Sequence, residues 1–109
     1  MKKLLLVLVL FGLIAAAGFA DEFYIRNETG GYTICYVYVS DSRSSDWGSD
    51  LLGNSVLRPG QSITITTTVP IGSTKWDIKV VDEDGDTYTI MSRTIRNRET
   101  ITVTLADLD

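Results

Sequence analysis

Between residues 82 and 86 the chain sets four carboxylates around one glycine, Asp82-Glu83-Asp84-Gly85-Asp86. Acids at alternate positions suit a hard cation such as calcium, which gathers several oxygens at about 2.3 to 2.6 Å while a glycine lets the backbone curl round it. The spacing departs from an EF-hand, because glycine stands fourth rather than sixth and Arg93 occupies position twelve. Two readings follow. Asp82, Asp84 and Asp86 hold calcium as metal ligands, in the roughly 10⁻⁴ to 10⁻³ M class of extracellular modules. Alternatively they form a solvated hairpin tip, since unit charges about 4 Å apart in water repel by only about 1 kcal/mol. A second group is Trp47 with Asp46 and Asp50. An indole beside carboxylates is a way to grip a sugar, which makes Trp47, Asp46 and Asp50 candidate ligand-binding residues. The competing reading folds Trp47 over the end of the core, where an indole buries roughly 200 Å².

Catalytic chemistry has little to build on. The chain holds no histidine and one cysteine, which removes Ser-His-Asp, Cys-His and His-ligated metal arrangements. A pair of carboxylates about 5 to 9.5 Å apart would serve glycoside hydrolysis, but no such pair is marked, and the reading is a non-enzyme with no catalytic residue. Nucleic acid is an equally poor partner. Without Lys2 and Lys3 the chain carries 8 basic against 14 acidic side chains, net −6, and phosphate binding draws its affinity from clustered cations.

The first twenty residues set the expected compartment. Lys2 and Lys3 precede an uncharged run from Leu4 that ends in Gly18, Phe19, Ala20, the layout of a signal peptide cleaved after Ala20. Residues 1–20 are therefore a leader, a signal helix, and 21–109 a single domain, periplasmic or secreted, with no membrane span after cleavage. The alternative is a leader kept as an anchor, because the run approaches the roughly 20 residues needed to span hydrocarbon. Cys35 lies too far from the cut to be a lipidated terminus. It alternates with Val37 and Val39, as a small core residue does, and the other reading is an intermolecular bridge.

Residues 21–109 lack helical periodicity and show short β-branched and aromatic runs between turn signals. Phe23 to Arg26 is a first strand. Tyr32 to Ser40 is the longest, apolar on both faces and so expected in mid-sheet. Asp41 to Asp50 is a loop, and Leu51 to Leu57 an irregular edge strand. Arg58-Pro59-Gly60-Gln61 has the type II turn signature, after which Ile63, Ile65, Thr67 and Val69 alternate with Ser62, Thr64, Thr66 and Thr68. That outward ladder is a wet face rather than an ice- or sugar-binding surface. Trp76, Ile78 and Val80 share an inward face, and a three-residue loop with left-handed Gly85 pairs Val80 with Tyr88 and Ile78 with Ile90. A last strand, Thr100 to Leu105, turns Ile101, Val103 and Leu105 inward. The fold class is all-β: a two-sheet antiparallel β-sandwich, Ig-like or C2-like, of six to seven strands.

Asn27-x-Thr29-Gly30, Tyr38-Val39-Ser40, Trp47-Gly48-x-Asp50-Leu51-Leu52-Gly53, Leu57-x-Pro59-Gly60-Gln61-Ser62 and Trp76-Asp77-Ile78-Lys79-x-x-Asp82 together resemble a loosely defined group of uncharacterised small exported bacterial β-sandwich proteins. The resemblance implies that fold and export, and no activity. The functional expectation is an exported, non-catalytic binding or interaction module of the bacterial envelope, with a weak calcium site at Asp82–Asp86 and a protein or glycan as partner. Two alternatives stand beside it: a structural envelope protein that self-associates through an exposed strand edge near Leu51–Leu57, and a glycan-binding module that uses Trp47. Asn27-Glu28-Thr29 also spells a glycosylation sequon, to which a bacterial leader gives little weight.

Overall fold

The computed structural model describes residues 21–109, so the leader expected at 1–20 lies outside the described residues. Among the described residues six strands form in order: β1 (Glu22–Glu28), β2 (Ile34–Asp41), β3 (Ser62–Thr66), β4 (Trp76–Asp82), β5 (Thr87–Arg93) and β6 (Thr100–Thr104). They make two three-stranded sheets, β3-β1-β6 and β2-β4-β5. The inward sets pack face to face as a β-sandwich, with Phe23 and Ile25 of β1, Ile101 and Val103 of β6, and Val37, Ile78 and Val80 of the other sheet all essentially inaccessible. Trp76 is core as well, its indole N–H donating to the Ile71 carbonyl at 2.9 Å. Burying side chains of this size stabilises by about 1.5 to 3 kcal/mol each.

The β4–β5 hairpin has the register that side-chain parity demands. Val80 faces Tyr88 and Ile78 faces Ile90, with Gly85 left-handed at φ 83° and its N–H on the Asp82 carbonyl at 3.0 Å. The Arg58–Gln61 turn also forms as its residues dictate, closed by Gln61 N–H to Arg58 C=O at 3.0 Å with Gly60 at φ 85°.

Elsewhere the structure corrects the sequence. β2 is an edge strand, not a central one. A bulge between Ile34 and Tyr36 switches its parity, so Ile34 and Val37 both point inward while Tyr36 and Tyr38 stack outside, ring centres 6.5 Å apart. That switch makes both faces read as apolar. Cys35 sits at the irregularity, half-buried, rather than in the core set with Val37. Leu51 to Leu57 is no strand. It touches the outer edge of β2 at two places, Leu57 exchanging both backbone bonds with Ile34 and Leu51 N–H bonding Val37 C=O at 2.8 Å. The segment thereby covers the edge it was expected to form. The sheets are not wholly antiparallel, because β1 and β6 run parallel. Leu105 leaves the inward face: β6 ends at Thr104, whose side chain caps a 3₁₀ turn over Leu105–Asp107, and Leu105 is exposed.

The two ends of the sandwich are distinct. Glu83 N–H bonds Thr33 C=O, and Asn27 reaches the Leu57 carbonyl, so the β4–β5 tip shares one end with the Asn27 and Arg58 turns. The Asp41–Asp50 loop closes the other, where Asp41 pairs with Trp76.

Candidate functional site

At the hairpin tip the structure does bring Asp82, Asp84 and Asp86 together, with one carboxylate oxygen of each within 4.8 Å of the others. Such a cluster has the donor set to hold a hard cation. Its members differ in burial, however. Asp84 and Asp86 are exposed, whereas Asp82 is 3% accessible. Its Oδ1 accepts the Asp84 and Asp86 backbone N–H groups at 2.9 and 3.0 Å, and its Oδ2 accepts the Tyr88 hydroxyl at 2.8 Å. Those bonds satisfy donors the tight turn would otherwise strand. Burial pushes the Tyr88 hydroxyl pKa up, and the bond to Asp82 with the negative charge around it adds to the shift.

The second candidate group separates. Asp50 belongs to the cover of β2: Oδ1 accepts from Val37 N–H at 2.9 Å and Leu52 N–H at 3.0 Å, and Oδ2 from Gly53 N–H at 3.0 Å. Asp46 accepts Gly48 N–H at 2.9 Å. It lies beside half-buried Trp47 at a recess of about 150 Å³ whose other walls are Ser40, Ser44, Ser45, Asp77 and Met91. Asp41, at the start of the same loop, ties the loop down. Its carboxylate takes the Arg43 guanidinium and backbone N–H and the Thr74 hydroxyl, and the Arg43 bonds hold its pKa well below the usual carboxylate range.

Asp77 and Met91 are parts of this recess that reading the chain did not identify. Asp77 is buried, and its Oδ1 accepts Ser42 Oγ–H and Ser92 N–H, both at 2.7 Å. β5 is irregular opposite it, with Ser92 left-handed at φ 54°, and the carboxylate takes up the N–H that this bulge frees. Asp77 forms no ion pair among the described residues. The only sequence signal was strand parity, which puts Asp77 on the outer face. Asn27, read from the sequence only as part of a motif and a sequon, has a structural role. Fully buried, it donates to the Tyr32 and Leu57 carbonyls at 2.8 Å each and accepts from the Thr29 N–H and hydroxyl. With both Asn27 and Thr29 inaccessible, the sequon is closed to a glycan.

The recess therefore joins an indole, serine hydroxyls and two carboxylates, and no cationic side chain among the described residues lines it. That lining repels anions such as phosphate and accepts hydrogen bonds from neutral hydroxyls. At about 150 Å³ it is below the roughly 300 Å³ at which pockets for drug-sized ligands begin, which leaves room for a single ring.

No family model matches the chain, and no curated protein matches it. The NMR structure of a protein from Eubacterium rectale is similar in fold, with a TM-score of 0.61 over 82% of this chain and 84% of that one at 16% sequence identity.

Proposed function

We propose that this chain is a non-catalytic binding module of the bacterial envelope, exported by its leader, which takes one sugar ring of a glycan at the Trp47 recess. The observation that carries the reading is that Trp47 and the buried Asp77, a carboxylate with no ion pair among the described residues, line the same recess. An aromatic face stacks on the C–H surface of a pyranose, while carboxylate and serine oxygens orient its hydroxyls. Titration of the protein with a panel of neutral oligosaccharides, followed by ¹H–¹⁵N spectra, tests it. A binding sugar shifts the Trp47 indole and the Asp77 and Met91 amides, and Trp47→Ala weakens it at least tenfold, about 1.4 kcal/mol. Shifts elsewhere, or an unaffected Trp47→Ala, contradict it.

A second reading rests on the Asp82, Asp84, Asp86 cluster: the tip takes calcium weakly, through the exposed Asp84 and Asp86 and the lone pairs Asp82 does not use. Millimolar calcium then raises the melting temperature, and the Asp84→Asn/Asp86→Asn double variant loses the rise. An identical melt in calcium and in chelator removes this reading.

A further inference from the structure

We propose that β3 is a self-pairing edge, through which two copies of this chain join antiparallel into one continuous six-stranded sheet. From Pro59 to Thr74, sixteen consecutive residues carry no charge in a chain that is otherwise strongly acidic. The centre of that stretch is β3, at the end of its sheet. Asn27 N–H bonds Gln61 C=O and Thr67 N–H bonds Asp21 C=O, so the odd-numbered residues of β3 turn their backbone groups to β1. Those of Ser62, Thr64 and Thr66 point away from the sheet. Exposed edges are normally blunted by lysine, proline, a bulge or a covering loop. β2 has such a cover in Leu51–Leu57, and the start of β5 has one in the C-terminal segment, where Leu108 bridges Tyr88 and Asp109 N–H bonds Thr87 C=O. Among the described residues β3 has none of these devices.

The edge is complementary to itself. With a two-fold axis at Thr64, that residue meets the partner's Thr64 and Ser62 meets the partner's Thr66, each pair exchanging both backbone bonds. The neighbouring strand brings no like charges together: Glu22 lies beside Thr66 and Arg26, which pairs with Glu28 of its own copy, beside Ser62 on the outer face, so in each row across the joined sheet the two charges are of opposite sign and separated by the two β3 strands. On the inner face, a mixed recess of about 230 Å³ opens next to this edge, lined by Val39, Leu51, Ile65, Val69 and Trp76 together with Asp41 and the threonines 66–68. A strand added to β3 extends the apolar layer beside that opening, whose lining includes the exposed Leu51. β6, the opposite edge of the same sheet, is a poorer candidate because Arg96, Arg98 and Glu99 precede it and Asp107 and Asp109 follow.

Sedimentation velocity on residues 21–109, which contain both sheets and the whole core, reads the proposal directly. The interface is of the small class below about 1,200 Å², so a micromolar or weaker dimer is expected. Wild type passes from monomer to dimer between micromolar and millimolar concentration, and Thr64→Lys stays monomeric with an unchanged melting temperature. A disulfide gives the geometry independently of that variant. In a Cys35→Ser background, Thr64→Cys cross-links on mild oxidation, since paired Cα atoms about 5.5 Å apart suit an S–S bond, while Thr102→Cys on β6 does not. A wild type that is monomeric throughout, a folded Thr64→Lys that dimerises equally, or equal cross-linking at Thr102 overturns the proposal.

Discussion

In the β4–β5 hairpin Asp82 turns into the protein and binds two amides of its own turn and the Tyr88 hydroxyl, whereas in the loop after β2 the acids spread out, one to each local bend. Asp41 holds Arg43 and Thr74, Asp46 holds Gly48, and Asp50 holds Leu52, Gly53 and the neighbouring strand at Val37. The tip is short enough for one buried carboxylate to organise it. The longer loop needs several, and its spare length brings Trp47 to a recess shared with Ser40, Asp77 and Met91. Acid-rich sequence thus serves the same purpose in both places, supplying acceptors to backbone N–H groups that no ladder satisfies. What differs is the remainder: two exposed carboxylates at the tip, an aromatic recess at the loop.

The sharpest way to break this contrast is to remove the organising acid. Asp82→Ala strands a buried tyrosine hydroxyl and two turn amides, at about 1 to 3 kcal/mol for the unsatisfied groups. A loss of about 3 kcal/mol in urea denaturation is expected, and a loss near zero makes the tip as loosely built as the loop. Tyr88→Phe has a smaller effect, about 2 kcal/mol, because it deletes one hydrogen bond to a buried carboxylate but keeps the ring and both turn amides bound. It also carries a pH signature. The folded-state pKa of Tyr88 is raised, so its contribution is intact below the ordinary tyrosine value near 10 and is lost as pH rises from there toward the folded value. Wild type therefore weakens above about pH 10 more steeply than Tyr88→Phe. Equal slopes would contradict burial of the hydroxyl against Asp82.

Much of the frame is legible in the sequence. Apolar parity and one glycine determine the β4–β5 register, and Pro59-Gly60 determines the turn before β3, because both features act within a few residues. β2 was misplaced because a bulge at Ile34–Tyr36 leaves no mark in composition: it exchanges the faces midway, and the resulting two-sided apolar pattern imitates a central strand. Leu51–Leu57 has strand-like residues, but Gly53 takes a left-handed φ of 59°, which prevents a continuous ladder, and the leucines at its ends tie to β2 instead. Candidate sites were harder to read than strands. The acids at 46, 50, 82, 84 and 86 were visible as charge, but whether a carboxylate faces solvent or an amide depends on loop backbone that periodicity does not describe. Asp77 was hidden for a related reason, since its partner Ser92 is made available only by a left-handed residue in another strand.

Amide hydrogen exchange measures the central claim, that rim carboxylates hold the backbone, group by group. The N–H groups of Gly48, Leu52, Gly53, Asp84, Asp86 and Ser92, which donate to side-chain oxygens, are predicted to exchange well below unstructured rates, and Asp82→Ala is predicted to release Asp84 and Asp86 while leaving Leu52 and Gly53 protected. Exchange of all six at free-peptide rates in the wild-type protein would contradict it.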